Sequence, residues 1–99
     1  MRWLETITLR SSGSDQYNEA LEVLKQVDEE KKGNSLISSH CFKNAEVESE
    51  LSVHLLWNSS VLTPFKSPLG SRLAHILSDS GLIHHAIWIE ERPAGQSID

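Results

Sequence analysis

Residues 50–57, Glu-Leu-Ser-Val-His-Leu-Leu-Trp, decide how this chain folds. Leu51, Val53, Leu55 and Trp57 alternate, which gives one apolar face at the two-residue period of a strand. The other face carries Ser52, His54 and Leu56, and is semi-polar rather than charged. A strand oily on one side and only mildly polar on the other needs cover on both. The segment is therefore expected at the centre of a small sheet.

Working back from it, residues 44–49 are mostly polar and acidic and read as a turn, and residues 35–43 read as a second strand. A hairpin register in which paired numbers sum to about 94 follows from strand parity. It sets Ile37 and Cys41 on the face of Val53, Leu55 and Trp57, and brings His40 opposite His54, with Ser38, Phe42 and Ser52 around them. Cys41 then reads as a small buried hydrophobe. Residues 2–10 are β-branched and aromatic enough for a first strand. Ser11-Ser12-Gly13 breaks it, and Ser14 or Asp15 is suited to cap a helix. Tyr17, Ala20, Leu21, Leu24 and Val27 recur at helical spacing, with Lys31, Lys32 and Gly33 suited to its end.

Working forward, residues 58–66 form a loop or short helical turn holding Val61, Leu62 and Phe65. Ser67-Pro68 is a helix start, since serine caps and proline tolerates the first helical position. Leu69, Leu73, Ile76 and Leu77 form the stripe of that second helix, which Gly81 ends. Residues 84–91 make a fourth strand, with His85, Ile87 and Ile89 on one side. Residues 93–99 lack periodicity and read as a frayed tail, so one domain is expected over residues 1–92. Strand, helix, strand, strand, helix, strand is the split βαβ, ferredoxin-like α+β order. It places the third strand beside the first in the middle of an antiparallel sheet, with both helices on one face. The other face, partly apolar, calls for a second copy of the chain, so a homodimer is expected.

The bulk numbers exclude several classes. A formal net charge of -5, with no basic cluster beyond Lys31-Lys32, argues against a nucleic-acid partner. The start, Met-Arg-Trp-Leu-Glu, lacks the apolar run of a signal peptide. Nothing approaches the roughly 18 apolar residues of a membrane span. A single cysteine makes no internal disulfide, and a cytoplasmic protein is expected.

His40 and His54 are the leading candidates for chemistry, because cross-strand neighbours come within contact distance. One of them can serve as a general base near pH 7 for a phenolic or quinol proton. The pair can also begin a metal site with Glu5 as third ligand, or be semi-buried polar residues at a subunit interface. No tight His/Cys spacing supports the metal, and neither metal nor cofactor is expected. His84 and His85, being adjacent, send their rings to opposite faces, one solvated and one packed. Trp3, Trp57 and Trp88, on three strands, offer aromatic walls for a flat ligand or bulk for the core and interface. Arg72 either meets an anionic ligand group or lies along the surface on its stem. The sequence holds no glycine-rich phosphate loop, nucleophile elbow or zinc-binding run.

The element order, with Trp57-Asn58-Ser59 closing the third strand and Ser67-Pro68 opening the second helix, resembles the antibiotic-biosynthesis-monooxygenase family. That family belongs to the dimeric α+β barrel superfamily. The resemblance covers about residues 2–91. It implies cofactor-independent oxidation of quinol-like or polyketide aromatics in a cleft between helices and sheet, or a non-catalytic small-molecule-binding module on the same fold. Pro64 and Phe65 stand where some members carry a histidine. A haem-degrading branch uses an asparagine, a tryptophan and a histidine. Laid on this chain, those positions fall at or beside Ile7, near Phe65 and near His75. Of the three, His75 alone matches by type, and it points about 140° from the centre of the helix's apolar stripe at about 100° per residue.

Overall fold

The computed structural model describes residues 2–25, 35–59 and 64–92. Alternation of side chains carries the architecture. Strand β1 (Arg2–Ser11) buries Trp3, Glu5, Ile7 and Leu9 on one face. Helix α1 (Ser14–Leu24) follows, then strands β2 (Leu36–Lys43) and β3 (Glu50–Asn58), helix α2 (Pro68–Leu77) and strand β4 (Gly81–Ile89). β3 buries Leu51, Val53, Leu55 and Trp57 on the same side as the buried face of β1. The four strands form one antiparallel sheet in the order β2-β3-β1-β4. This is the ferredoxin-like α+β arrangement. α2 adds Leu69, Leu73 and Leu77 to the core, and α1 adds Ala20 with Tyr17, Leu21 and Leu24 packed around it. Both helices thus cover one face of the sheet.

The expected hairpin register holds where it matters. His40 pairs with His54 and Cys41 with Val53, each pair summing to 94. Near the start of β2 the ladder slips, Leu36 pairing with Trp57 and Ser38 with Leu56. Ile37 is the extra residue of that bulge and lies exposed, so Leu36, not Ile37, packs into the core beside Trp57. Cys41 is also exposed, contrary to its expected burial, because β2 is an edge strand. Partial burial of the sulfur nevertheless pushes its thiol up.

Two boundaries differ from expectation. α1 is preceded by Gly13, and neither Ser14 nor Asp15 caps it with a side chain; both lie inside the helix. α2 is capped as expected, Ser67 Oγ accepting from Gly70 N at 2.9 Å. Ile76 falls at the edge of its apolar stripe and is exposed. A 3₁₀ turn over Ser78–Ser80 leads to Gly81, which starts β4 rather than merely ending the helix. There the backbone of Arg10 comes so close that a Cβ would collide with its carbonyl. Val27, Lys31, Lys32, Gly33, Val61, Leu62 and the tail 93–99 lie outside the described residues. No described helix is long and apolar enough to cross a membrane.

Candidate functional site

Among the described residues, Glu5 is the one ionisable residue that is fully buried, at 0% exposure, and it lies between sheet and helices. Strand parity puts it there, since it shares the face of Trp3, Ile7 and Leu9. Burying a carboxylate costs several kcal/mol, by order of magnitude, unless its lone pairs are satisfied. Here they are. Oε1 accepts from Trp57 Nε1 at 3.1 Å and from Ser67 Oγ at 2.6 Å. Oε2 accepts from Ser67 N at 3.0 Å and lies 2.6 Å from His85 Nε2.

Each donor arrives from a different element. Trp57 closes β3, Ser67 caps α2, and His85 comes from β4, where it pairs with Ile7, two residues along β1 from Glu5. Gly70 completes the cage, because any Cβ at that position of α2 would strike the Glu5 carboxylate. Beside the cage, Trp57 stacks on Trp3 with ring centroids 5.4 Å apart and planes 16° from parallel. Trp3 Nε1 donates to Ser59 Oγ at 3.1 Å. The outcome is a carboxylate–imidazole pair set against an indole stack.

The other face of the sheet holds the expected histidine pair. His54 Nε2 lies 3.0 Å from Ser52 Oγ, which is itself 3.3 Å from Thr8 Oγ1. The Phe42 ring sits 4.7 Å from that of His54, tilted by 52°, and 6.1 Å from that of His40. Partial burial and then the neighbouring His40 hold the His54 imidazole below its ordinary value. Trp88, on the same face, donates from Nε1 to Thr6 Oγ1 at 3.1 Å while remaining exposed.

The sheet therefore separates residues expected together. Trp3 and Trp57 lie under the helices, whereas His40, His54 and Trp88 lie on the opposite side, so no helix–sheet cleft holds His54 between tryptophan walls. Trp3 and Trp88 nonetheless both line a cavity of about 270 Å³ at one end of the sheet, together with Leu4 and Leu56. Phe65 is exposed just ahead of α2, and Arg72 and His75 are exposed along it. Glu5 cannot join His40 and His54 around a metal, being on the other face. No group of three or more His, Cys, Asp or Glu side chains suited to a metal occurs among the described residues. The haem-degrading pattern does not fit either, since Ile7 is fully buried in the core and His75 is exposed.

His85 packs and His84 is exposed, as adjacent strand residues should. Their placement was legible. The partnership of His85 with Glu5 was not, although a signal existed in the parity of both residues with apolar neighbours.

No protein-family model matches this sequence, and no curated protein does. Solved structures do share its fold. SnoaB from Streptomyces nogalater, described as a cofactor-independent oxygenase, superposes with a TM-score of 0.64 at 7% identity, covering 96% of this chain and 98% of that one. A putative antibiotic biosynthesis monooxygenase from Deinococcus radiodurans gives 0.65 at 10% identity, over 98% and 96%. A dimeric ferredoxin-like protein from an uncultured marine organism gives 0.63 at 11%, over 97% and 93%. A further match, from Methanosarcina mazei, is described only as a conserved protein. At these identities the likeness is one of fold.

Proposed function

We propose that this chain is a cytoplasmic homodimer, a dimeric α+β barrel, that acts as a cofactor-independent monooxygenase-like enzyme on a small aromatic or quinol. The observation that carries the reading is the Glu5–His85 pair beside the Trp3–Trp57 stack. It sets an imidazole and a carboxyl group beside two stacked indoles in the layer between helices and sheet, residue types suited to proton transfer and to apolar contact with an aromatic. Likeness of fold to SnoaB and to the Deinococcus protein supports the same direction. The uncovered sheet face supports the dimer. It leaves Phe42, Leu82 and Trp88 more than half exposed, and a second copy laid against it removes them from water. His40 and His54 then lie at the subunit interface, where His54 is a second candidate base.

Oxygen consumption with a panel of quinols tests the activity. Uptake that depends on the protein supports it, and none with any quinol defeats it. Light scattering at micromolar concentration should return twice the 11.1 kDa of one chain, and a monomeric mass defeats the dimer.

A non-catalytic binding module is the second reading, favoured by the complete hydrogen bonding of Glu5, which is also how a structural strut looks. It predicts thermal stabilisation by an aromatic ligand that is never consumed.

A further inference from the structure

We infer that the open face of the sheet is a self-complementary interface with its histidines as the release: two copies close on it while those rings are uncharged and part in mild acid. The inference rests on the homodimer reading above and adds how that interface is regulated. Strand parity gathers the parts. On the face away from the helices, β2 carries His40 and Phe42, β3 carries Ser52 and His54, and β4 carries His84, which pairs with Thr8 of β1. His40 stands directly opposite His54, and the Phe42 ring lies 4.7 Å from that of His54. His40 and His84 are exposed and His54 is half-buried. Phe42, Leu82 and Trp88 supply exposed apolar surface around them. In a two-fold dimer the same patch serves both subunits, so three imidazoles from each copy enter one interface.

Charge decides whether the patch tolerates its own copy. The other charged side chains that parity places on this face are Arg2 and Arg10 of β1, Glu50 of β3 and Glu90 just past β4. Two cations and two anions cancel, and Arg10 pairs with Glu50 at 3.2 Å. Lys43, at the end of β2, pairs with buried Leu51 and so belongs to the opposite face. Among the described residues no carboxylate lies within salt-bridge distance of His40, His54 or His84, unlike His85, which has Glu5 at 2.6 Å. The face is therefore neutral while its imidazoles are, and every proton they take up leaves a positive charge with no counter-ion.

On a patch that meets its own copy, such charge repels itself and loses its hydration on closure. One copy alone already disfavours the charged form of His54, through partial burial and then His40. A second copy laid over the ring takes away more of its water. The whole chain pulls the other way. Its net charge is -5 at pH 7 and its isoelectric point is near 5.5, so overall self-repulsion fades as the pH falls. Dissociation in mild acid is thus the signature of this face, not of the net charge.

Sedimentation over a range of protein concentrations, at pH 7.5 and pH 5.5, tests it. A histidine that must shed its proton to enter an interface weakens association about tenfold for each pH unit below its value in the free copy. The dimer dissociation constant should therefore rise at least about tenfold between the two conditions, with far-ultraviolet circular dichroism unchanged. The triple variant His40→Gln, His54→Gln, His84→Gln should dimerise equally well at both. His75→Gln, on α2 and away from this face, should respond as the wild type does. Nitrogen-15 spectra of the wild-type rings need no variant: their titration should move to lower pH as protein concentration rises. Association equal or tighter at pH 5.5 overturns the inference, as does weakening that persists in the triple variant. Ring titration independent of concentration, or dissociation that comes only with unfolding, overturns it too. A monomer at pH 7.5 sinks the dimer and this inference together, whereas a dimer of equal strength at both pH values sinks this inference alone.

Discussion

The two faces of the sheet each hold a histidine with a polar partner, and they treat it in opposite ways. Under the helices, His85 meets a carboxylate whose every lone pair is assigned, with a glycine on α2 making room. On the open face, His54 has one serine hydroxyl, a phenylalanine ring and a second histidine for neighbours. The first environment sets an anion beside the ring. The second disfavours the charged ring through lost hydration and like-charge repulsion. Burial alone therefore does not decide what a histidine can do; the donor and acceptor count around it does.

The comparison breaks most directly at Glu5. Glu5→Ala leaves the Trp57, Ser67 and His85 donors without their acceptor, and removing one partner of a buried pair costs about 3–5 kcal/mol. For a domain of this size that is a fall in melting temperature of roughly 12 °C or more. A change of under about 1 kcal/mol would mean that the cage is spectator packing. Gly70→Ala attacks the same spot from α2 and should cost about 1–3 kcal/mol by forcing a methyl against the carboxylate. The double variant sharpens the point. With the carboxylate gone, the methyl introduced on α2 has space, so the double variant should lose less than the sum of the two single losses.

Next in size is the indole stack. Trp57→Phe removes the Nε1 donor to Glu5 and shrinks the surface facing Trp3, with an expected cost of about 1–2 kcal/mol. Near-ultraviolet circular dichroism should lose the signal of two coupled indoles. An unchanged spectrum would mean that the rings do not stack in solution.

How much of this was readable beforehand depended on the range of the signal. β3 was legible because its alternation is local, and the pairing of His40 with His54 followed because a short turn joins two adjacent strands. The bulge at Ile37 was not, since nothing in a strand-like run marks the residue that will be left unpaired. Glu5 was harder. It shares parity with Trp3, Ile7 and Leu9, and a carboxylate among apolar residues of one face is a sign of a buried polar site. Its partners, however, lie 52, 62 and 80 residues away on three elements, and only the order β2-β3-β1-β4 gathers them. The histidine pair was correctly registered yet attached to the wrong layer, because parity says which residues share a face and not which face the helices choose.

The smallest expected effect concerns His54 and is a slope rather than a loss. Its imidazole is held below the ordinary histidine value, so between that lowered value and about 6.5 the unfolded chain binds the proton and the folded chain does not. Stability should therefore rise with pH across that interval and level off above it. His54→Gln keeps a polar side chain for Ser52 and removes the titrating group. Urea unfolding at fixed protein concentration, repeated across pH, should give the variant a flatter profile than the wild type, with midpoints that converge in mildly alkaline buffer. Equal slopes would show that His54 is hydrated and unopposed in the folded protein. The open face would then differ from the covered one only in exposure, and the contrast in how the two faces hold a proton would fall.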